Sequence, residues 1–230
     1  MATRTQARKS DRTRKLILDT ALRLFRKSGF EEATLRDIAA AAGISLGSTY
    51  YYFESKESII GAYYEFVQSE YLARAKDALA VTPDFRARLA AVLHAKLDVL
   101  KDDRKILSGL FRYGGDPSHP LSWFGRQTEH IRRSSMGVMV EVAEVLRMPP
   151  DARRVTPTML WALEMGVLLY FVHDGSVGQW RTRKLVDGVA ALIGRMAGLI
   201  VSPFAKPLRS HGIRLLRDAQ LLAEPSEALL

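Results

Sequence analysis

The chain has 230 residues, 47% of them hydrophobic, 26% charged and none of them cysteine, and a formal net charge of +9. That apolar content is enough for a real core in one domain or two small ones. The lack of cysteine excludes disulfides, thiolate catalysis, cysteine-based zinc sites and thiol redox sensing, and the excess of cations favours polyanionic partners.

The charge is not spread evenly. Arg4, Arg8, Lys9, Arg12, Arg14 and Lys15 stand against a single acid, Asp11, at the start of the chain. This basic arm suits phosphate binding. No apolar run follows it that would make a signal peptide. The longest apolar runs, Met159–Val172 and Leu185–Val201, are broken by Glu164 and by Asp187 and Arg195. They read as too short and too charged to span a bilayer, so a soluble, cytoplasmic protein is expected.

Apolar residues recur at helical spacing nearly everywhere, and no strand alternation or internal repeat is found, so the fold class is all-α. Leu16, Ile17, Ala21, Leu24 and Phe25 share one face of a first helix, about Ser10–Lys27, which Gly29 stops. Thr34 with Asp37 three residues on reads as a capping box for a second helix. Ser45 caps a third, and Ser55 opens a long fourth helix to about Leu79. A fifth is expected near Phe85–Lys101, a sixth near Arg104–Tyr113 and a seventh from Leu121 to Arg147, which stops before Pro149-Pro150. Thr156-Pro157 reads as cap and first turn of an eighth, to about His173. Thr182 caps a ninth, to about Val201, and Arg209–Ala223 forms a last helix. The expected division is a DNA-binding domain over 1–54 and a larger helical domain over 55–230.

The most informative stretch is Thr34–Lys56, TLRDIAAAAGISLGSTYYYFESK. Leu35, Ile38, Ala39 and Ala42 share a face of one short helix. Ile44, Leu46, Tyr50 and Phe53 do the same on the next. The alanines keep the first helix thin, and Gly43 supplies the positive φ of a sharp turn. Ser45, Gly47, Ser48, Thr49, Tyr51 and Tyr52 are then left outward. Phenols bond phosphates and pack on sugars, and short hydroxyls reach phosphates or base edges. The pattern is that of a helix-turn-helix reading duplex DNA.

Ala21-Leu22-Arg23-Leu24-Phe25, Gly29-Phe30, Thr34, Ile38-Ala39, Ala42-Gly43-Ile44-Ser45, Gly47-Ser48-Thr49-Tyr50-Tyr51-Tyr52-Phe53 and Ser55-Lys56-Glu57 make Ile17–Ala62 resemble the tetracycline-repressor (TetR) family of bacterial regulators. The resemblance implies an Ω-shaped homodimer of nine or ten helices per chain. In it the first three helices bind DNA and the rest bind an effector and dimerise. It implies that Thr34 and Ser48 approach phosphate or base, that Tyr51 and Tyr52 lie on the backbone and groove edge, and that Lys56 meets a phosphate. Tyr50 would be partly buried and partly DNA-facing. The chain departs from many members in carrying tyrosine rather than histidine at 52 and leucine at 46.

Other signals carry less. Gly43-Ile44-Ser45-Leu46-Gly47 matches a G-x-S-x-G nucleophile elbow, but that elbow needs a strand before its serine. His94, His119, His130, His173 and His211 form no metal array, so no metal, cofactor or catalytic residue is expected. Gly194-x-x-x-Gly198 permits close backbone approach in a helix too charged for a membrane.

Helices eight and nine are apolar on more than half their circumference, which a second subunit would cover in a four-helix bundle. Leu163, Val167, Val189, Leu192, Ile193 and Met196 are the expected dimer residues. An effector pocket is expected among helices four to eight, with His94, Phe111, Trp123, Phe124, Trp161, Met165 and Tyr170 as its lining. The whole reads as a ligand-responsive regulator, most simply a repressor, that binds a pseudo-palindromic operator as a homodimer and is released by a small, largely apolar molecule. The alternative is a helical small-molecule-binding or catalytic protein with an incidental basic arm.

Overall fold

In α1, Ala2–Ser28, the residues Ile17, Ala21 and Phe25 recur every fourth position and are fully buried, so one stripe carries the helix onto its neighbours. The helix begins well before Ser10 and takes the basic arm into its first turns. It ends at Gly29, whose φ of 99° lets its N–H close on the Phe25 carbonyl at 2.9 Å. The computed structural model describes residues 2–116 and 118–218, without the side chains of 2–8, 200 and 216. Among the described residues there are ten α-helices, two short 3-10 turns and no strand.

After α1 come α2 (Leu35–Ala42), α3 (Leu46–Tyr52), α4 (Lys56–Ala80), α5 (Phe85–Leu100), α6 (Arg104–Gly114), α7 (Glu129–Ala143), α8 (Pro150–His173), α9 (Trp180–Val201) and α10 (Lys206–Asp218). The part of the last expected helix that falls on 219–223 lies outside the described residues.

The chain forms two compact units. The first holds Met1–Glu70 and Val99–Arg132, and the second holds Tyr71–Asp98 and Arg133–Leu230. The unit boundaries fall inside α4, α5 and α7. In the first unit α6 packs on α1, and α2 packs on both α1 and α3. In the second, α8 packs on α9 and on α10.

Three expected boundaries are corrected. The seventh helix starts at Glu129 rather than Leu121, because Ser122 and Thr128 spend their hydroxyls on the backbone between the two helices. The Ser122 hydroxyl donates to the Gly114 carbonyl at 3.1 Å, and the Trp123 N–H reaches the same oxygen at 3.1 Å. The eighth helix starts at Pro150, not at Thr156. Pro150 stands in the first turn, where a missing N–H costs nothing, and Pro157 lies inside the helix. The ninth begins at Trp180, and Thr182 is the capped residue rather than the cap. Its N–H and hydroxyl donate to Asp174 at 2.9 and 2.7 Å. Burial alone would raise the Asp174 pKa, but hydrogen bonds from Ser176 and Thr182 overcome that and hold it well below the usual carboxylate range.

By length and composition α8 is apolar enough to cross a membrane, contrary to the reading that Glu164 disqualifies it. Its buried face carries Leu160, Trp161, Glu164, Val167, Leu168 and Phe171. A core helix of a soluble protein has this character.

Each unit buries a carboxylate with a cation and a tyrosine. In the first, Asp103 is 3% exposed, accepts from Arg26 Nε at 2.6 Å and takes the Tyr63 hydroxyl at 2.9 Å. In the second, Glu164 is 1% exposed and stands 3.6 Å from Lys96 Nζ. Neither of its oxygens accepts a hydrogen bond among the described residues. Tyr71 turns its ring face, not its hydroxyl, to the lysine, at 3.7 Å from the ring centre. Burial pushes the Glu164 pKa up and the Lys96 pKa down.

Candidate nucleic-acid interface

The reading head is built by local caps. Thr34 precedes α2 with its hydroxyl accepting from the Asp37 N–H at 3.1 Å, while the Asp37 carboxylate takes the Thr34 N–H at 2.9 Å and its hydroxyl at 2.6 Å. This is the expected capping box, and the Thr34 hydroxyl bond in particular holds the Asp37 pKa below the usual range. At the other end Gly43 adopts φ 67°, and the N–H groups of Gly43 and Ile44 close on the carbonyls of Ala40 and Ala39. Such a left-handed stop sets a sharp angle between helices, and a Cβ at φ 67° is strained. Ser45 then caps α3, its side chain accepting from the Ser48 N–H at 3.0 Å. Ser45 is thus a helix cap between two helices, and the nucleophile-elbow reading has no strand to stand on.

On α3 the faces differ from expectation by one residue. Thr49 is fully buried, and its hydroxyl donates to the Ser45 carbonyl at 3.2 Å. It therefore faces inward with Phe53, four residues on. Tyr50, expected largely inward, is half exposed, and Tyr51 is 82% exposed. The Tyr51 and Tyr52 rings meet edge-on at 5.1 Å, so Tyr52 steadies the most exposed phenol. The outward surface of this short helix is Gly47, Tyr50 and Tyr51, with Ser48 and Tyr52 at its margins.

Lys56, expected at a phosphate, also anchors main chain. Its ammonium donates to the carbonyls of Phe30 and Glu31 at 2.9 and 3.0 Å and sits over the Phe30 ring at 4.6 Å. It braces the turn after α1, whose carbonyls have no helical partner. Arg14 lies on α1 with its guanidinium 4.8 Å from the Phe53 ring centre, at the base of α3. Arg36, in the first turn of α2, is exposed. Arg14 belongs to the basic arm, whereas Arg36 carries no sequence signal beyond its charge in the first turn of α2.

Asp103 was missed altogether. It precedes α6 but makes no cap bond, because Arg26 and Tyr63 take its oxygens. Only a tertiary contact reveals that role.

The expected effector residues do not gather. In the first unit Phe111 and Trp123 meet edge-on at 4.4 Å, and the Trp123 ring lies so close to Gly114 that a Cβ there would stand 2.6 Å from it. Both aromatics are half-buried, and the tryptophan ring fills the space beside the glycine. Phe124 is 46% exposed. In the second unit Trp161 is buried, Met165 is half-buried, and His94 Nε2 pairs with Asp187 at 2.8 Å. Tyr170 lies outside, in a shallow groove with Leu185, Val189 and Leu192. None of the seven lines the second unit's apolar cavity between α8, α9 and α10.

Of the expected dimer residues, Leu192 and Met196 are exposed, and Leu163, Val189 and Ile193 are half-buried. Val167 is 3% exposed within its own chain. The outer stripe of α9 runs Leu185, Val189, Leu192, Met196 and Leu199, in alternating steps of four and three. This is the spacing of a helix seam.

Comparison with known proteins agrees with this geometry. Residues 17–63 match the family model "Bacterial regulatory proteins, tetR family", and residues 88–207 match the "Tetracyclin repressor-like, C-terminal domain". The chain is 37% identical over 103 residues to the HTH-type transcriptional repressor KstR2 of Rhodococcus jostii, a match covering 40% of this chain and 50% of that protein. It is 38% identical over 69 residues to the HTH-type transcriptional regulator AcrR of Shigella flexneri, covering 30% of this chain and 32% of that one. The matches thus span half or less of these relatives. A solved FadR of Bacillus subtilis, in complex with stearoyl-CoA, superposes with a TM-score of 0.62 over 76% of this chain and 96% of that one, at 16% identity. That likeness is one of fold. With family models matching both the reading head and most of the helices that follow it, the chain belongs to the tetR family of bacterial regulatory proteins, as a helix-turn-helix transcriptional regulator and not an enzyme.

Proposed function

We propose that this regulator is a cytoplasmic repressor that binds a pseudo-palindromic operator as a homodimer and leaves it when a small, largely apolar effector binds. The observation that carries the DNA reading is the outward face of α3. A tyrosine 82% exposed beside another at 50%, on a seven-residue helix capped at its start, has no packing role of its own. A short helix displaying phenols suits phosphate and sugar contacts at a groove edge.

The dimer reading rests on the four-three stripe of α9 and on exposed Met159, Leu169 and Tyr170 of α8. Two-fold symmetry would then match a palindromic site. The effector reading is supported by the apolar interior of the second unit and by the related fold solved with stearoyl-CoA. Release follows if the ligand prefers the non-binding conformation, and a complete switch needs a preference of roughly 5 kcal/mol.

Selection of genomic fragments retained by the purified protein tests the reading. The expected result is a small set of fragments sharing an inverted repeat, bound with an affinity that falls steeply with salt. Retention without sequence preference, or none at all, would overturn it.

A further inference from the structure

We propose that the cavity between α8, α9 and α10 is a binding site for a long-chain anionic amphiphile, such as a fatty carboxylate. The proposal rests on the effector reading and names its ligand class, and binding is tested without DNA, so that its failure is distinct from a failure of release.

This cavity measures about 720 Å³, within the range of ligand pockets. Its deep wall is core: Ala152, Leu160 and Ala197 are 1%, 4% and 6% exposed. Leu163, Ile193 and Ile213 close the sides. Exposed Met159, Met196, Leu208 and Leu215 rim its open side. An apolar wall of this extent offers water few partners, whereas a hydrocarbon chain fits it by its chemistry.

The cavity also has a polar end. Arg209 lines it with its side chain only 9% exposed, held by Asp151 at 2.8 Å and by the Ser202 carbonyl at 2.7 Å. The helix that carries it, α10, bears Lys206, Arg209, Arg214 and Arg217 against one acid, Asp218. That potential favours an anionic head over a neutral or cationic one. Gly212 leaves room on the α10 wall, with nothing within 4 Å of where a Cβ would stand.

The test is a fluorescence titration of the full chain with cis-parinaric acid. Saturation at one probe per chain is expected, with dodecanoate displacing the probe at a concentration about tenfold or more below that of dodecanol, as a charge-assisted contact to the head would give. Gly212→Phe, which fills the cavity from a helical position where glycine is already unfavourable, should keep its helicity and melting temperature and bind about tenfold or more weakly. Gly137→Phe, on α7 away from the cavity and also with open space at its Cβ, should bind like wild type. No saturable binding, or unchanged binding by Gly212→Phe, would overturn the site. Equal displacement by dodecanol would overturn the anionic head. One probe per two chains, lost on dilution to monomers, would show that a second copy and not a ligand fills the cavity.

Discussion

Asp103 and Glu164 pose the same problem in the two units and meet opposite solutions. Each is a buried carboxylate beside a cation and a tyrosine. At Asp103 the guanidinium and the phenol both aim at the carboxylate, at 2.6 and 2.9 Å, and the Arg26 side chain remains 42% exposed. At Glu164 the ammonium stands off at 3.6 Å, itself only 7% exposed, and leans on the face of the tyrosine. Desolvating two charges costs several kcal/mol unless close geometry repays it. The first carboxylate is a joint, tying α1, α4 and the start of α6 by directed bonds. The second faces its cation at 3.6 Å without a short directed bond, within a unit that also contains a large apolar cavity. Residue type does not decide between these outcomes, but the aim of the donors does.

The sharpest way to break the comparison is to remove one partner at a time. Lys96→Met should destabilise by about 3–5 kcal/mol, read from the urea midpoint, because it leaves a buried carboxylate unpaired. The loss should deepen as pH rises. A buried Glu164 with a raised pKa gives stability that is full below its unfolded value and disappears as pH climbs through the folded one. The double variant Lys96→Met with Glu164→Leu should recover to near wild type, since no charge is left buried. Failure to recover would mean that the pair is satisfied after all.

Asp103→Ala should cost about 2–3 kcal/mol by the same measurement, for it orphans the buried Tyr63 hydroxyl and the Arg26 guanidinium together. Here the double variant with Arg26→Met should not recover, because Tyr63 remains unsatisfied. Tyr51→Ala should leave stability within about 0.5 kcal/mol and weaken operator binding by about 1–3 kcal/mol, measured by anisotropy on the selected fragment. Lys56→Ala should reverse that order, reducing stability while leaving the salt dependence of binding unchanged. Asp174 is a third carboxylate, satisfied by N–H and hydroxyl donors without a cation. Its depressed pKa gives stability present above the ordinary carboxylate value and lost as pH falls below it. Asp174→Asn should therefore flatten the acid limb of the stability curve in thermal melts between about pH 5 and 2.

The sequence showed the helices because their buried faces repeat locally. Ile17, Ala21 and Phe25 are legible as a stripe, as are the capping box at Thr34 and the turn at Gly43. It did not show why Leu121–Thr128 stays out of α7, because Ser122 and Thr128 bond to carbonyls several residues away. The proline signals misled by position. Pro150 reads as the stop of one helix but opens the next, since a single sequence cannot say on which side of a proline the apolar face continues. At the reading head, the spacing 46, 50, 53 and the spacing 46, 49, 53 are equally helical, and only packing chose Thr49 over Tyr50. The bracing role of Lys56 is not legible either, because its carbonyl partners, Phe30 and Glu31, are twenty-odd residues distant.

The grouping of α6 with α1–α3 bears on how such proteins can be recombined. The Phe30 ring meets Tyr113 edge-on at 6.2 Å, its Cβ lies within van der Waals reach of Gly109, and the Tyr113 hydroxyl bonds Glu31. A graft that exchanges only residues 1–54 would leave behind the α6 part of the surface on which the reading head rests, and would meet a foreign α6 with the wrong side chains. A hybrid with altered operator choice is better cut so that residues 99–116 travel with the head, or so that the receiving α6 keeps Asp103, Gly109 and Tyr113. In this chain the unit of inheritance for DNA recognition is discontinuous, and its second piece lies some fifty residues downstream of the motif that names it.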